Sequence, residues 1–168
     1  MNKDLKLNIG ITLWTLTSKE IRRFMRIWVQ TLVPPAVTMT LYFVIFGSLI
    51  GPRIGEMDGF DYVQFMIPGL IMMSVITGSY ANVVSSFYSV KFQKSIEELL
   101  ISPMPNWVIL LGFILGGVTR GILVGIIVFC VSLFFYPEFQ IVNIGLTITV
   151  LLLTSVLFAL MGFINAVF

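Results

Sequence analysis

The chain has 168 residues, of which 58% are hydrophobic and 11% charged, with a formal net charge of +2. An average soluble domain carries about 25% charged residues, so this composition excludes a soluble enzyme. A small net charge without a long basic run excludes a nucleic-acid binder. There is no His, which removes the commonest general base and metal ligand. The one Cys, Cys130, can build neither a disulfide framework nor a thiolate metal site within the chain. What remains is an integral membrane protein with no metal site and no catalytic residues of its own.

The first element in chain order is amphipathic. On a helical wheel at about 100° per residue, Leu13, Trp14, Leu16, Ile21, Phe24, Met25, Ile27 and Trp28 share one half. Thr12, Thr15, Ser18, Lys19, Arg22, Arg23 and Arg26 fill the other, with Thr17 and Glu20 out of place. A basic face opposite a Trp/Phe/Leu face predicts a helix over about residues 5–28 lying in the headgroup plane. The alternative is a basic flank that only sets topology.

The charge spacing then predicts the spans. Runs of 26, 29, 21, 17 and 30 uncharged residues separate Arg26, Arg53, Asp61, Lys91, Glu98, Arg120, Glu138 and the final Phe168. A helix needs about 20 mostly apolar residues to cross the hydrocarbon core. The reading is four transmembrane helices, about 29–50, 65–88, 108–135 and 141–164, in an all-α fold. The third is interrupted only by Arg120. Eight Lys and Arg lie outside the spans on the N-terminal side, counting Lys91 and Lys94, against Arg53 alone on the other. That asymmetry predicts a cytoplasmic N-terminus.

Helix breaks are expected at Pro34 and Pro35 in the first span and at Pro68 and Gly69 in the second. The second span carries Ser74, Gly78, Ala81, Asn82, Ser85 and Ser89 at helical spacing. This is either a small-residue packing face or a face lining a solvated passage, with Asn82 and Ser85 its candidate residues. Gly112/Gly116 and Gly117/Gly121/Gly125 repeat the small-residue device in the third span. Arg120 falls near the middle of that span if the helix is straight, and nearer the inner headgroups if the helix overhangs the cytoplasm. A central Arg faces protein or water, not lipid. It is either a structural tie to a neighbouring backbone or a cation in the passage.

Between the second and third spans, Ser95-Ile96-Glu97-Glu98-Leu99-Leu100-Ile101-Ser102-Pro103 predicts a short helix over about 95–102. Ser95 with Glu98 reads as a capping box, and Pro103 closes the helix. Ile96, Leu99 and Leu100 share one side, which needs a partner: the membrane surface or another protein.

This run resembles the cytoplasmic loop of permease subunits of type 2 ATP-binding-cassette exporters. So does Met66-Ile67-Pro68-Gly69-Leu70 at the entry to the second span. The stretch from Ile21 to Val90, with Arg22-Arg23-Phe24-Met25-Arg26-Ile27-Trp28 and Pro34-Pro35, is similar to bacterial inner-membrane permeases of that family. The resemblance implies six spans, an interfacial N-terminal helix and a coupling helix. It also implies two permease copies assembled with separate ATPase subunits, which hold the ATP and Mg. The coupling helix would dock the ATPase through Ser95, Ile96, Glu97, Glu98, Leu99, Leu100, Ile101 and Pro103. The chain carries four spans where six are implied, so the permease domain over 1–168 is expected to be C-terminally incomplete.

The expected function is the membrane-spanning subunit of an ATP-driven exporter in the bacterial inner membrane, itself without cofactor. No G-x-x-x-x-G-K-[ST] phosphate loop is present. The alternative is a four-helix membrane scaffold or assembly factor. An intramembrane enzyme has no His, paired carboxylates or nucleophile-plus-base set to work with.

Overall fold

The computed structural model describes residues 8–57, 60–137 and 143–168. Four of its helices are long and apolar enough to cross a membrane. The chain runs through α1 (Ile9–Arg26), α2 (Trp28–Tyr42), a π-helical continuation (Phe43–Ile50), the short α3 (Gly51–Ile54), α4 (Tyr62–Phe92), α5 (Ser95–Ile101), α6 (Asn106–Phe135) and α7 (Ile144–Val167). Between α3 and α4 a two-residue ladder pairs Glu56 with Asp61 and Met57 with Phe60, antiparallel. It is the one regular element other than helix among the described residues. Residues 5–7 of the expected first helix, Glu138, and residues 141 and 142 of the expected fourth span lie outside the described residues.

The helices run on through the expected breaks. Both Pro34 and Pro35 lie inside α2, and Pro68 with Gly69 lies inside α4. A proline in a helix removes one i→i−4 bond and frees the carbonyl four residues back. In an apolar environment the surrounding turns persist because no water competes for their own bonds. The first span instead departs from α geometry later, where Phe43–Ile50 widens to π.

Helices α4 and α6 form the centre, and small residues set their distance. A Cβ on Gly78 would lie 3.2 Å from the Gly121 Cα, and one on Gly121 would lie 2.9 Å from the Val75 carbonyl oxygen. The two backbones therefore touch, as small-residue ladders allow. Ser74 and Ser79, buried in this contact, return their hydroxyls to the carbonyls of Leu70 and Val75 at 2.8 Å each. Helix α7 joins through Gly162, where a Cβ would lie 2.9 Å from the Tyr80 carbonyl oxygen.

Helices α4 and α6 have 31 and 30 residues, about 45 Å each at 1.5 Å per residue. The hydrocarbon core is about 30 Å thick. Each is therefore about 15 Å longer than the core is thick, a difference that tilt and overhanging ends share. The C-terminal half of α4 and the N-terminal half of α6 share one end of the bundle, where Phe87 of α4 stacks edge-on with Phe113 of α6 at 5.5 Å. Helices α1 and α5 both pack at this end.

Candidate functional site

Helix α1 has three faces. Leu16, Thr17, Glu20 and Phe24 are buried. Leu16 sits over Gly112 and Glu20 over Gly116: a Cβ on either glycine would lie 2.2 Å and 2.6 Å from those side chains. Both contacts advance by four residues in the same direction, so α1 runs alongside the N-terminal half of α6. Trp14 and Met25 are exposed on a second face, continued by Trp28 at the start of α2, and Lys19, Arg22 and Arg26 on a third. Thr17 and Glu20, out of place on a two-faced wheel, belong to the buried face.

Glu20 is 1% exposed and is held on two sides. The Ser86 hydroxyl of α4 donates to its Oε2, and Arg23 Nε donates to the same oxygen at 3.3 Å. Arg23 Nη2 then reaches α4, donating to the Asn82 carbonyl oxygen at 3.3 Å and to Asn82 Oδ1 at 3.2 Å. A buried carboxylate is tolerable only when paired and hydrogen-bonded, and this one has both. The junction ties α1, α4 and α6 together around Gly116, whose missing side chain makes the room.

Arg120 lies one turn further along α6. Its Nη2 donates to the Thr31 carbonyl oxygen of α2 at 3.4 Å. Thr31 is the residue four before Pro35, so its carbonyl is the one that Pro35 leaves without an in-helix donor. The Thr31 hydroxyl is turned back on the Phe24 and Ile27 carbonyl oxygens, both at 3.2 Å, across the bend where α1 gives way to α2. Arg120 thus supplies from α6 what the proline withholds within α2.

This pairing predicts a coupling. Arg120→Leu should destabilise the chain by about 1 kcal/mol, low in the range for an orphaned acceptor because the bond is long. In a Pro35→Ala background, the backbone N–H regained at that position takes over the Thr31 carbonyl, and the same substitution should cost little. A double-mutant cycle on unfolding free energy in detergent checks it; additivity would break the link between Pro35 and Arg120.

The remaining expected site residues divide. Asn82 is fully buried inside the junction, while Ser85 is exposed and donates to the Asn82 carbonyl oxygen at 3.1 Å. Glu20, Arg23, Ser86 and Thr31 were not among the expected site residues. The signals that point to them are the misplaced Glu20 on the wheel and the carbonyl freed by Pro35.

Helix α5 starts differently from the expectation. Lys94 takes the N-cap position in the left-handed region, with φ 57°, and no side chain caps the helix. Ser95 is already the first helical residue, so the Ser95–Glu98 capping box does not form. The sharp turn at Lys94 between α4 and α5 moves the cap one residue early. The C-terminal end is as expected, with Ser102 extended before Pro103.

Ile96 and Leu99 pack on the Phe87, Phe113 and Phe163 cluster of α4, α6 and α7. Glu97 and Glu98 face solvent. Leu100 parts from its expected companions: it is 59% exposed, and Ile101 is 84% exposed. An apolar groove of about 450 Å³ opens beside α5, lined by Leu99, Leu100, Trp107, Leu110, Phe87 and Phe163.

Relatives of the chain have the same character. It is 60% identical over 158 residues to the inner membrane transport permease YadH of Escherichia coli K12, and equally to YadH of Shigella flexneri. The alignment covers 94% of this chain and 61% of each relative, so the chain spans about three fifths of their length. No solved structure is significantly similar to it. Residues 12–168 match the ABC-2 type transporter family, and the chain, an all-α membrane protein with four candidate spans, belongs to that family.

Proposed function

We propose that the chain is the membrane-spanning part of an ATP-driven exporter of the bacterial inner membrane, with its N-terminus in the cytoplasm. In this reading a separate ATPase subunit holds ATP and Mg, and a second permease copy completes the passage. The relatives' names as inner membrane transport permeases support it, as does the eight-to-one Lys/Arg bias across the spans. The observation that carries it is α5. A short helix is seated on a rigid aromatic cluster and presents Leu100 and Ile101 outward, beside an apolar groove. That arrangement fits a docking knob held against a bundle that is to be moved.

The exposed side of α4 at this end carries Thr77, Ser85, Tyr88 and Ser89. Polar groups on a span belong against protein or water, so this side is the proposed passage-facing surface. Asn82 and Arg120 act behind it, holding α1 and α2 in place.

Leu100→Asp with Ile101→Asp tests the reading. Leu99 is left intact because it packs on the aromatic cluster. A charge buried unpaired in an apolar contact costs several kcal/mol, and a micromolar contact is worth about 8 kcal/mol in all. In a permease of the relatives' full length, the ATPase subunit should no longer co-purify, while membrane insertion is unchanged. Undiminished co-purification would return α5 to the membrane surface and favour a scaffold without transport.

A further inference from the structure

The third face of α1 is a cationic surface that the junction does not use. Lys19, Arg22 and Arg26 follow one another at helical spacing and are exposed. None has a hydrogen bond or ion pair among the described residues. The carboxylate nearest in sequence, Glu20, is buried and already shared by Arg23 and Ser86. These cations, with Arg23, Ser18 and Trp14, line an open concavity of about 760 Å³.

The neighbouring face of α1 and the first residue of α2 are apolar and equally unpartnered, with Trp14 72% and Trp28 53% exposed. Tryptophan gathers where hydrocarbon meets headgroups. Exposed cations beside exposed tryptophans on one amphipathic stretch suit the boundary between headgroups and hydrocarbon. A compact anion with an apolar tail satisfies both faces together; an acidic protein surface satisfies only the cations.

We infer that Lys19, Arg22 and Arg26 form a binding site for the phosphate-bearing headgroup of an anionic phospholipid. The acyl chains of that lipid lie along Trp14, Met25 and Trp28. The lipid braces α1 from the side opposite the Glu20 junction. This goes beyond the proposed transport role and does not depend on it. It also separates α1 from a basic flank that only directs insertion, since such a flank holds no lipid once the protein is in place.

The test uses the chain in phosphatidylcholine nanodiscs containing trace spin-labelled phosphatidylglycerol or spin-labelled phosphatidylcholine. Relative association is read from the immobilised spin-label fraction. Each cation within reach of an anionic headgroup is worth about fivefold in association. With one to three of the cations engaged, wild type should therefore prefer phosphatidylglycerol by about fivefold to about a hundredfold, and Lys19→Gln/Arg22→Gln/Arg26→Gln should bring the ratio close to one. All three residues are exposed and unpaired, so the variant keeps its fold, checked by its thermal unfolding.

Lys91→Gln/Lys94→Gln, at the same end of the bundle, should leave the preference unchanged. Inorganic phosphate should compete no better than chloride at equal ionic strength. A wild-type ratio of one, a preference that survives the triple variant, or an equal loss in the Lys91/Lys94 control would overturn the site. Displacement of the lipid by millimolar phosphate would overturn it too, by making the ligand a free anion. None of these outcomes bears on whether an ATPase docks at α5.

Discussion

Glu20→Ala should destabilise the chain by about 3 kcal/mol. Removing one member of a buried ion pair costs about 3–5 kcal/mol, because the other charge is left uncompensated. Here the survivor is Arg23, whose side chain keeps 32% of its surface exposed, so solvent recovers part of the loss and the low end applies. The Ser86 hydroxyl loses its acceptor as well. Glu20→Gln should cost clearly less, since an amide oxygen still accepts from Ser86. The measurement is unfolding free energy in detergent, with limited proteolysis between α1 and α2 as a local probe. Equal losses for the two substitutions would mean that the charge alone holds α1 and that the acceptor offered to Ser86 contributes nothing.

Gly121→Val should be as damaging, by a different route. A Cβ at Gly121 meets the Ser79 hydroxyl at 1.9 Å and the Val75 carbonyl oxygen at 2.9 Å. The hydroxyl can rotate away; the backbone oxygen cannot. Helices α4 and α6 must then separate along their whole contact, and overpacking of this kind costs about 3 kcal/mol at the upper end of its range. Gly69→Ala is the control. Its Cβ meets nothing within 4 Å, and a helical Gly-to-Ala change there should be neutral or stabilising by up to about 1 kcal/mol. A destabilised Gly69→Ala together with a tolerated Gly121→Val would show that close packing does not set the α4–α6 distance.

The four spans are legible in the sequence because a membrane imposes one dominant rule, long uncharged runs, and the chain obeys it. The structure extends α4 past both expected ends, back to Tyr62 and on to Phe92, and α6 back to Asn106. Hydropathy marks the part inside hydrocarbon and is blind to helix that continues into water. Helices α1 and α5 pack where the C-terminal half of α4 meets the N-terminal half of α6.

The wheel of α1 is legible in two faces and not in its third. A bilayer sorts residues into apolar and polar halves, so Thr17 and Glu20 read as errors. Once α4 and α6 supply Ser86, Asn82 and a glycine groove, the same two positions become the buried face. Prolines mislead in the same way. Pro35 costs one bond inside α2, and the freed Thr31 carbonyl takes its donor from Arg120, 85 residues after the proline in the sequence. Local pattern cannot anticipate a donor that arrives from another span.

The distances along the chain at the junction also set an order of events during synthesis. Helix α1 leaves the ribosome first, yet Asn82 and Ser86 follow Arg23 and Glu20 by 59 and 66 residues, and Arg120 follows Thr31 by 89. At about 5–20 residues per second, the Glu20 carboxylate waits several seconds before its partners on α4 exist. Through that interval α1 lacks the groove and the α4 partners that bury Glu20, so its carboxylate must stay in contact with water. Folding of the N-terminal third is therefore completed from behind, when α6 enters the membrane and Gly116 opens the groove that receives Glu20.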